Sequence, residues 1–184
     1  MIFNNHSHLA DKHSFLSPSS YHWLNYDPEK LETIYRNQKA KDRGTILHAF
    51  ASEAINNKIK LANIKKALNM FVNDAIGFKM VSEQVLFYSI NSFGTADAIL
   101  FKDGLLRVHD LKTGITKPSF KQLDIYDALF CLEYNVDPTK IQFENRMYQG
   151  NGYTVDTPDG HYIQGIMDKI VQFDAILEEV KLTL

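Results

Sequence analysis

The feature that most constrains this fold is a change of hydrophobic period along the chain. Apolar residues recur at helical spacing as far as about Asn73, at strand-like spacing from Met80 to Leu111, and at helical spacing again from Phe120. Met80 to Ile90 is rich in β-formers, and Asn91-Ser92-Phe93-Gly94 supplies a turn. Thr95 to Phe101 reads as a second strand, Lys102-Asp103-Gly104 as a tight hairpin turn, and Leu105 to Leu111 as a third strand. Phe120 to Tyr134 is helical, and Ile141 to Tyr148 reads as a fourth strand. A Gly/Asn/Pro-rich stretch from Gln149 to Gly160 precedes a long helix from about Tyr162 to Lys181. Helices, three antiparallel strands, helix, strand, helix: this order predicts an α/β fold with a mixed central sheet flanked by helices.

Upstream, Ser17-Pro18 has the signature of a helix start, for a short helix carrying Tyr21, Trp23 and Leu24. Asp27-Pro28 opens another through Leu31, Ile34 and Tyr35, followed by a basic polar link from Arg36 to Arg43. A longer helix is predicted from Thr45, with Leu47, Phe50, Ala51, Ala54 and Ile55 on one face, and a further one over Ile64 to Asn73. Residues 1–15, with His6, His8 and His13, read as a flexible tail, and 1–184 as a single domain.

Composition narrows the functional classes. An apolar content of 45% with a net charge of −2 excludes intrinsic disorder, and the same near-neutral charge excludes coating nucleic acid by bulk attraction. A nucleic-acid partner would have to be met by a local patch. The single cysteine, Cys131, excludes an internal disulfide, a four-cysteine zinc site and a self-contained iron–sulfur cluster, and fits a reducing cytoplasm. The first residues lack the pattern of a secretory signal, and no apolar run is long enough to span a bilayer.

The chemistry concentrates around the predicted hairpin. Residues two apart on a strand share a face, so Asp110 and Lys112 project together while Leu111 turns away. Asp97, on the neighbouring strand, can join them. Two carboxylates on adjacent strands form a hard-oxygen site for Mg²⁺ or Mn²⁺, to which the Leu111 carbonyl can add a ligand. A lysine beside such a site can orient a water and stabilise phosphate charge. Taken alone, Asp110 and Lys112 read equally well as a strand-end ion pair. Glu179-Val180-Lys181 has the same acid-x-Lys spacing but falls on a helix, where residues two apart do not face each other.

Context comes from four motifs in order. Gly44-Thr45-Ile46-Leu47-His48, Gly94-Thr95-Ala96-Asp97, Asp110-Leu111-Lys112-Thr113-Gly114 and Gln122-Leu123-Asp124-Ile125-Tyr126 together resemble the RecB-type, lambda-exonuclease-like branch of the PD-(D/E)XK nuclease superfamily. The opening, Leu16-Ser17-Pro18-Ser19-Ser20 with Trp23-Leu24-Asn25, resembles small phage and prophage proteins of that branch. Ala96 stands where the family often has proline. The resemblance implies a restriction-endonuclease-like αβββαβ core and a Mg²⁺- or Mn²⁺-dependent DNA nuclease, an exonuclease or processing nuclease of phage recombination or replication. It implies metal ligation by Asp97 and Asp110, with His48 and Glu83 approaching the same ion, and action of Lys112 on the attacking water. Gln122 and Tyr126, four apart on a helix, would steady the phosphate, the lysine or the substrate strand. The iron–sulfur cluster of some relatives is not inherited.

Basic residues border these motifs. Arg36, Lys39, Lys41 and Arg43 lead into the helix bearing His48, while Lys117 and Lys121 flank the start of the helix bearing Gln122. Both clusters could lead backbone phosphates to the site. No base-reading motif is present, so sequence-specific cutting is not predicted. The resemblance further implies DNA as partner, a homo-oligomer, a recombination partner such as a single-strand annealing protein, and residence in the host cytoplasm. The alternative is a catalytically inactive nuclease-fold protein that binds DNA or a host component.

Overall fold

The computed structural model describes residue 5, residues 14–114 and residues 119–183. The predicted tail, apart from Asn5 and residues 14 and 15, lies outside the described residues, as does Lys117. The chain divides into two compact units, residues 1–43 and 44–184.

In the first unit, Ser17 and Pro18 start a 3-10 helix, Pro18–Asn25, rather than an α-helix. Trp23 Nε1 donates to the Ser17 carbonyl at 3.0 Å, and this turn-closing bond fixes the indole close to the helix start. Asp27 then caps α1 (Pro28–Asn56) by accepting from the Lys30 amide at 2.7 Å. The predicted link between Arg36 and Arg43 does not exist as a break, because α1 is continuous through it. Arginine, glutamine, lysine and alanine are all good helix formers, and Arg36 Nε pairs with Glu32 one turn earlier at 2.8 Å. Polarity there marks a wet helix, not a linker.

The second unit is built on a five-stranded mixed sheet: β1 (Val81–Ser89), β2 (Ser92–Lys102), β3 (Leu105–Lys112), β4 (Gln142–Gln149) and β5 (Gly152–Asp156), in that spatial order. Only β3 and β4 are parallel, joined through α3 (Lys121–Glu133). The remaining α-helices among the described residues are α2 (Ala67–Phe78) and α4 (Gly160–Lys181), and a short 3-10 helix, Pro138–Lys140, precedes β4. The chain is therefore α/β, as its period changes predict. Among the described residues, no helix is long and apolar enough to cross a membrane.

Several boundaries differ from the sequence reading, and α2 runs on to Phe78 rather than ending at Asn73. β2 begins at Ser92, so the first turn is only Ile90-Asn91. Helix α2 starts at Ala67 rather than Ile64, because Asn73 bonds both the Leu61 amide (2.9 Å) and carbonyl (3.0 Å) and closes the preceding segment as a loop. The Gly-rich stretch after Gln149 holds β5: Gly150, at φ +60°, turns the chain so that Gln149 pairs with Gly152. By contrast, the Asp103-Gly104 turn has both residues at positive φ, as a two-residue hairpin of this hand requires.

Side chains alternate across β3. Leu106 and Val108 pack with Leu123 and Leu129 of α3 and Ile163 of α4; Leu111 packs on the other face with Phe71 and Val72 of α2 and with Ala51 and Ile55 of α1. Burial of each such leucine contributes about 2 kcal/mol, which makes this two-faced packing the chief restraint on strand register. Asp110 and Lys112 continue the α3-facing row. At the edge of the sheet, the Phe87 amide of β1 donates to Glu133 Oε2 of α3 at 2.8 Å.

Candidate metal and phosphate site

Three acids stand in a row across three strands. The pairs Ser82 with Ala98 and Gln84 with Ala96 place Glu83 opposite Asp97, and the pair Ala98 with His109 places Asp97 opposite Asp110 one step further on. Glu83 adopts φ +51°, a left-handed conformation that costs a non-glycine residue about 1 kcal/mol or more. It interrupts the alternation of β1. Ser82 turns toward α1, where its hydroxyl donates to Asn56 Oδ1 (3.0 Å) and lies 3.0 Å from Ser52 Oγ, while Leu86 packs against α3.

Two glycines allow the helices to close on this row. A Cβ on Gly44 would lie 2.9 Å from Thr113 Oγ1, so its absence lets α1 approach the end of β3. His48, one turn along the same face, then reaches Asp97 Oδ1 with Nδ1 at 3.2 Å. A Cβ on Gly94 would stand 3.0 Å from the Tyr126 ring, so this glycine seats Tyr126 on β2. The Gly-Thr-x-x-His and Gly-x-x-Asp spacings thus have a packing cause.

Histidine 48, Glu83 and Asp97 form a group whose ligand atoms all lie within 4.8 Å of one another. Asp97 Oδ2 accepts the Leu111 amide at 2.8 Å, which fixes the carboxylate while Oδ1 faces His48. The hydrogen bond between His48 and Asp97, opposed by burial, raises the His48 pKa above its ordinary value. Burial and the charge of Asp97 raise that of Glu83. Asp110 stands outside this group but close enough that, after burial, the charge of Asp97 is the main cause raising its pKa.

Asp110 is 3% exposed. Its Oδ1 accepts from Lys112 Nζ at 3.0 Å; Nζ is equally near Oδ2, yet that buried oxygen has no hydrogen-bond donor among the described residues. An orphaned carboxylate oxygen beside a row of acids and a histidine fits a hard divalent cation. Lys112 is held from its other side. Gln122 Oε1 accepts from Nζ at 2.7 Å, Gln122 Nε2 donates to Tyr126 OH at 3.2 Å, and Tyr126 donates to the Thr95 carbonyl at 2.7 Å. Of the roles open to Gln122 and Tyr126, this geometry provides the one of steadying the lysine.

The remaining sequence candidates lie elsewhere. Lys39, Lys41 and Arg43 are exposed on α1 in the first unit, with Lys39 Nζ 3.4 Å from Asp42. Lys121 lines a groove between α3 and α4. Leu111 contributes its amide to Asp97, and its side chain belongs to the α2-facing core. The sequence reading missed Ser52, Asn56 and Ser82, which anchor the strand entering Glu83, and the Thr95 carbonyl that ends the Lys112 chain. Hydroxyl and amide residues on a helix carry no signal of a partner 26 to 30 residues away. Compared with known protein families, characterised proteins and solved structures, the chain finds no match.

Proposed function

We propose that this chain is a metal-dependent nuclease that hydrolyses phosphodiester bonds in DNA, on a restriction-endonuclease-like αβββαβ core. The observation that carries the reading is the pairing of an orphaned, buried Asp110 oxygen with a lysine held between Asp110 and Gln122. The order α1, β1, β2, β3, α3, β4, with α2 inserted before β1, supports the core assignment.

Asp97, Asp110, Glu83 and His48 are the residues that would hold the ion, with the Leu111 carbonyl as a further donor. When bound, Mg²⁺ or Mn²⁺ supplies Lewis-acid polarisation of the scissile phosphate. The protein's own part is positional. Asp110 and Gln122 accept two of the three ammonium hydrogens of Lys112, leaving one to orient the attacking water or to stabilise charge on the phosphate. Tyr126, locked on the Thr95 carbonyl, holds Gln122 in the orientation that presents its oxygen to the lysine. The basic run Lys39, Lys41 and Arg43 is proposed as a phosphate contact of the first unit, with a net charge of −2 leaving affinity dependent on such local contacts.

The test is release of nucleotides from linear DNA with Mg²⁺, lost on chelation and in Asp110→Ala and Lys112→Ala. Equal behaviour of the wild type and both variants defeats the assignment. DNA binding that survives chelation without cleavage over a range of metals would establish the inactive nuclease-fold reading instead. Linear against closed circular DNA separates exonuclease from endonuclease.

A further inference from the structure

Away from the acid row, α3 and α4 leave between them a groove of about 640 Å³, within the size range of ligand sites. Its walls are Ile125 of α3 and Ile166, Ile170 and Phe173 of α4; Lys121 and Lys169 stand among them, and no acidic side chain lines it. Ile125 is 44% and Phe173 53% exposed. Among the described residues neither lysine has a carboxylate within ion-pair distance. Other charged residues of α4 do find partners: Lys181 pairs with Glu178, and Asp174 accepts from Ser89 and Asn91.

A second observation lies in the lining. Gly165 occupies the interior of α4, where glycine costs about 1 kcal/mol relative to alanine, and a Cβ built there meets nothing within 4 Å. No packing within this unit requires the glycine. Its effect is to leave open space beside Ile166 in the groove lining.

We propose that this groove docks a short acidic segment of a partner protein that carries a bulky apolar side chain. The apolar anchor would enter at Gly165 against Ile125, Ile166 and Phe173. Carboxylates beside it would meet Lys121 and Lys169. The commitment to an acidic partner rests on charge: two lysines without counter-ions flank an apolar trough that offers a basic ligand only repulsion.

The test uses the full chain and a fluorescein-labelled peptide in which three aspartates adjoin Leu-Phe, with an Asn-for-Asp version as control. Expected are saturable binding, weakening with salt, and a loss of about tenfold for the control peptide. Gly165→Leu fills that open space and should raise helix stability while weakening binding about tenfold or more. Lys169→Glu should weaken binding similarly without altering DNA cleavage. Three outcomes overturn the proposal: no saturable binding up to ~1 mM, equal binding of both peptides, or wild-type affinity in Gly165→Leu. Light scattering supplies a fourth. A homo-oligomer that dissociates in Gly165→Leu would assign the groove to a second copy of this chain. Because binding is read without metal or DNA, failure here leaves the nuclease reading standing, and the reverse holds too.

Discussion

On one side of β3, Asp110 and Lys112 face α3; on the other, His109 faces α2 within a second polar cluster, and the two are finished differently. His109 is fully buried, with Nδ1 3.3 Å from Tyr148 OH. Tyr148 gives its single hydroxyl hydrogen to Asp74 at 2.7 Å, so His109 Nδ1 carries the proton of that contact. Arg146 reaches Asp74 at 3.4 Å, Arg107 and Arg146 share Glu144 Oε1 at 3.1 and 3.0 Å, and both guanidiniums lie over the Phe78 ring. Opposite charges there are matched, with Asp74 34%, Arg107 21% and Arg146 15% exposed, while His109 Nε2 is buried with no partner among the described residues. The Asp110 side gathers three acids against one lysine, with an Asp110 oxygen that accepts no hydrogen bond among the described residues, a left-handed glutamate, and similar exposure: 31% for His48, 16% for Asp97, 29% for Lys112. Charge matched by its opposite holds a fold together; a surplus of one sign is available for chemistry.

The contrast can be broken by substitution. Asp110→Asn should lower Mg²⁺-dependent cleavage by about a thousandfold while the melting temperature stays level or rises, since one of several crowded carboxylates is neutralised. A large fall in stability would show Asp110 to be a structural ion-pair residue after all. On the opposite face the sign reverses with pH. Burial, then the charges of Arg146 and Arg107, push the His109 pKa down to about 3. The folded state therefore keeps His109 neutral where the unfolded chain protonates it. That contribution is complete above about pH 6.5 and is lost as pH falls toward about 3, up to about 4 kcal/mol. Urea unfolding between pH 7 and 4 should show the decline, and His109→Asn should flatten it.

Smaller effects sharpen the boundary. Asp74→Ala removes the acceptor of Tyr148 and Arg146 and should cost about 2 kcal/mol in chemical denaturation, with cleavage per folded molecule unchanged. Tyr126→Phe loses the bond to the Thr95 carbonyl, worth about 1 kcal/mol; the expected signature is a reduced kcat with little change in KM, because Lys112 is held less well. Least affected should be Cys131, whose thiol burial pushes up to about 12. It should resist alkylation in the native protein and react only on unfolding.

What could be read from residues alone follows from distance along the chain. The hairpin at Asp103-Gly104 and the shared face of Asp110 and Lys112 depend on neighbours, and the structure has both. The long helix through Arg36–Arg43 was hidden because a polar run without apolar spacing resembles a linker, although its propensities are helical. Strand β5 was hidden behind Gly150, which reads as a loop but makes a hairpin. The left-handed Glu83 has no local signal, since its conformation is imposed by α1 and β2 on either side. Partners such as Asp74 and Tyr148, 74 residues apart, meet only through the parallel pairing of β3 and β4 that carries Tyr148 to α2.

The contact of Glu133 with the Phe87 amide bears on a different matter, the fate of the protein at high concentration. An outermost strand with free amides and exposed Val85 and Phe87 invites a strand from another molecule to add to it. A carboxylate from α3 already occupies one of those amides, and the twist at Glu83 interrupts the flat run that an incoming strand would need. Two acids, one on the helix and one in the strand, thereby discourage the chain from growing into a continuous intermolecular sheet.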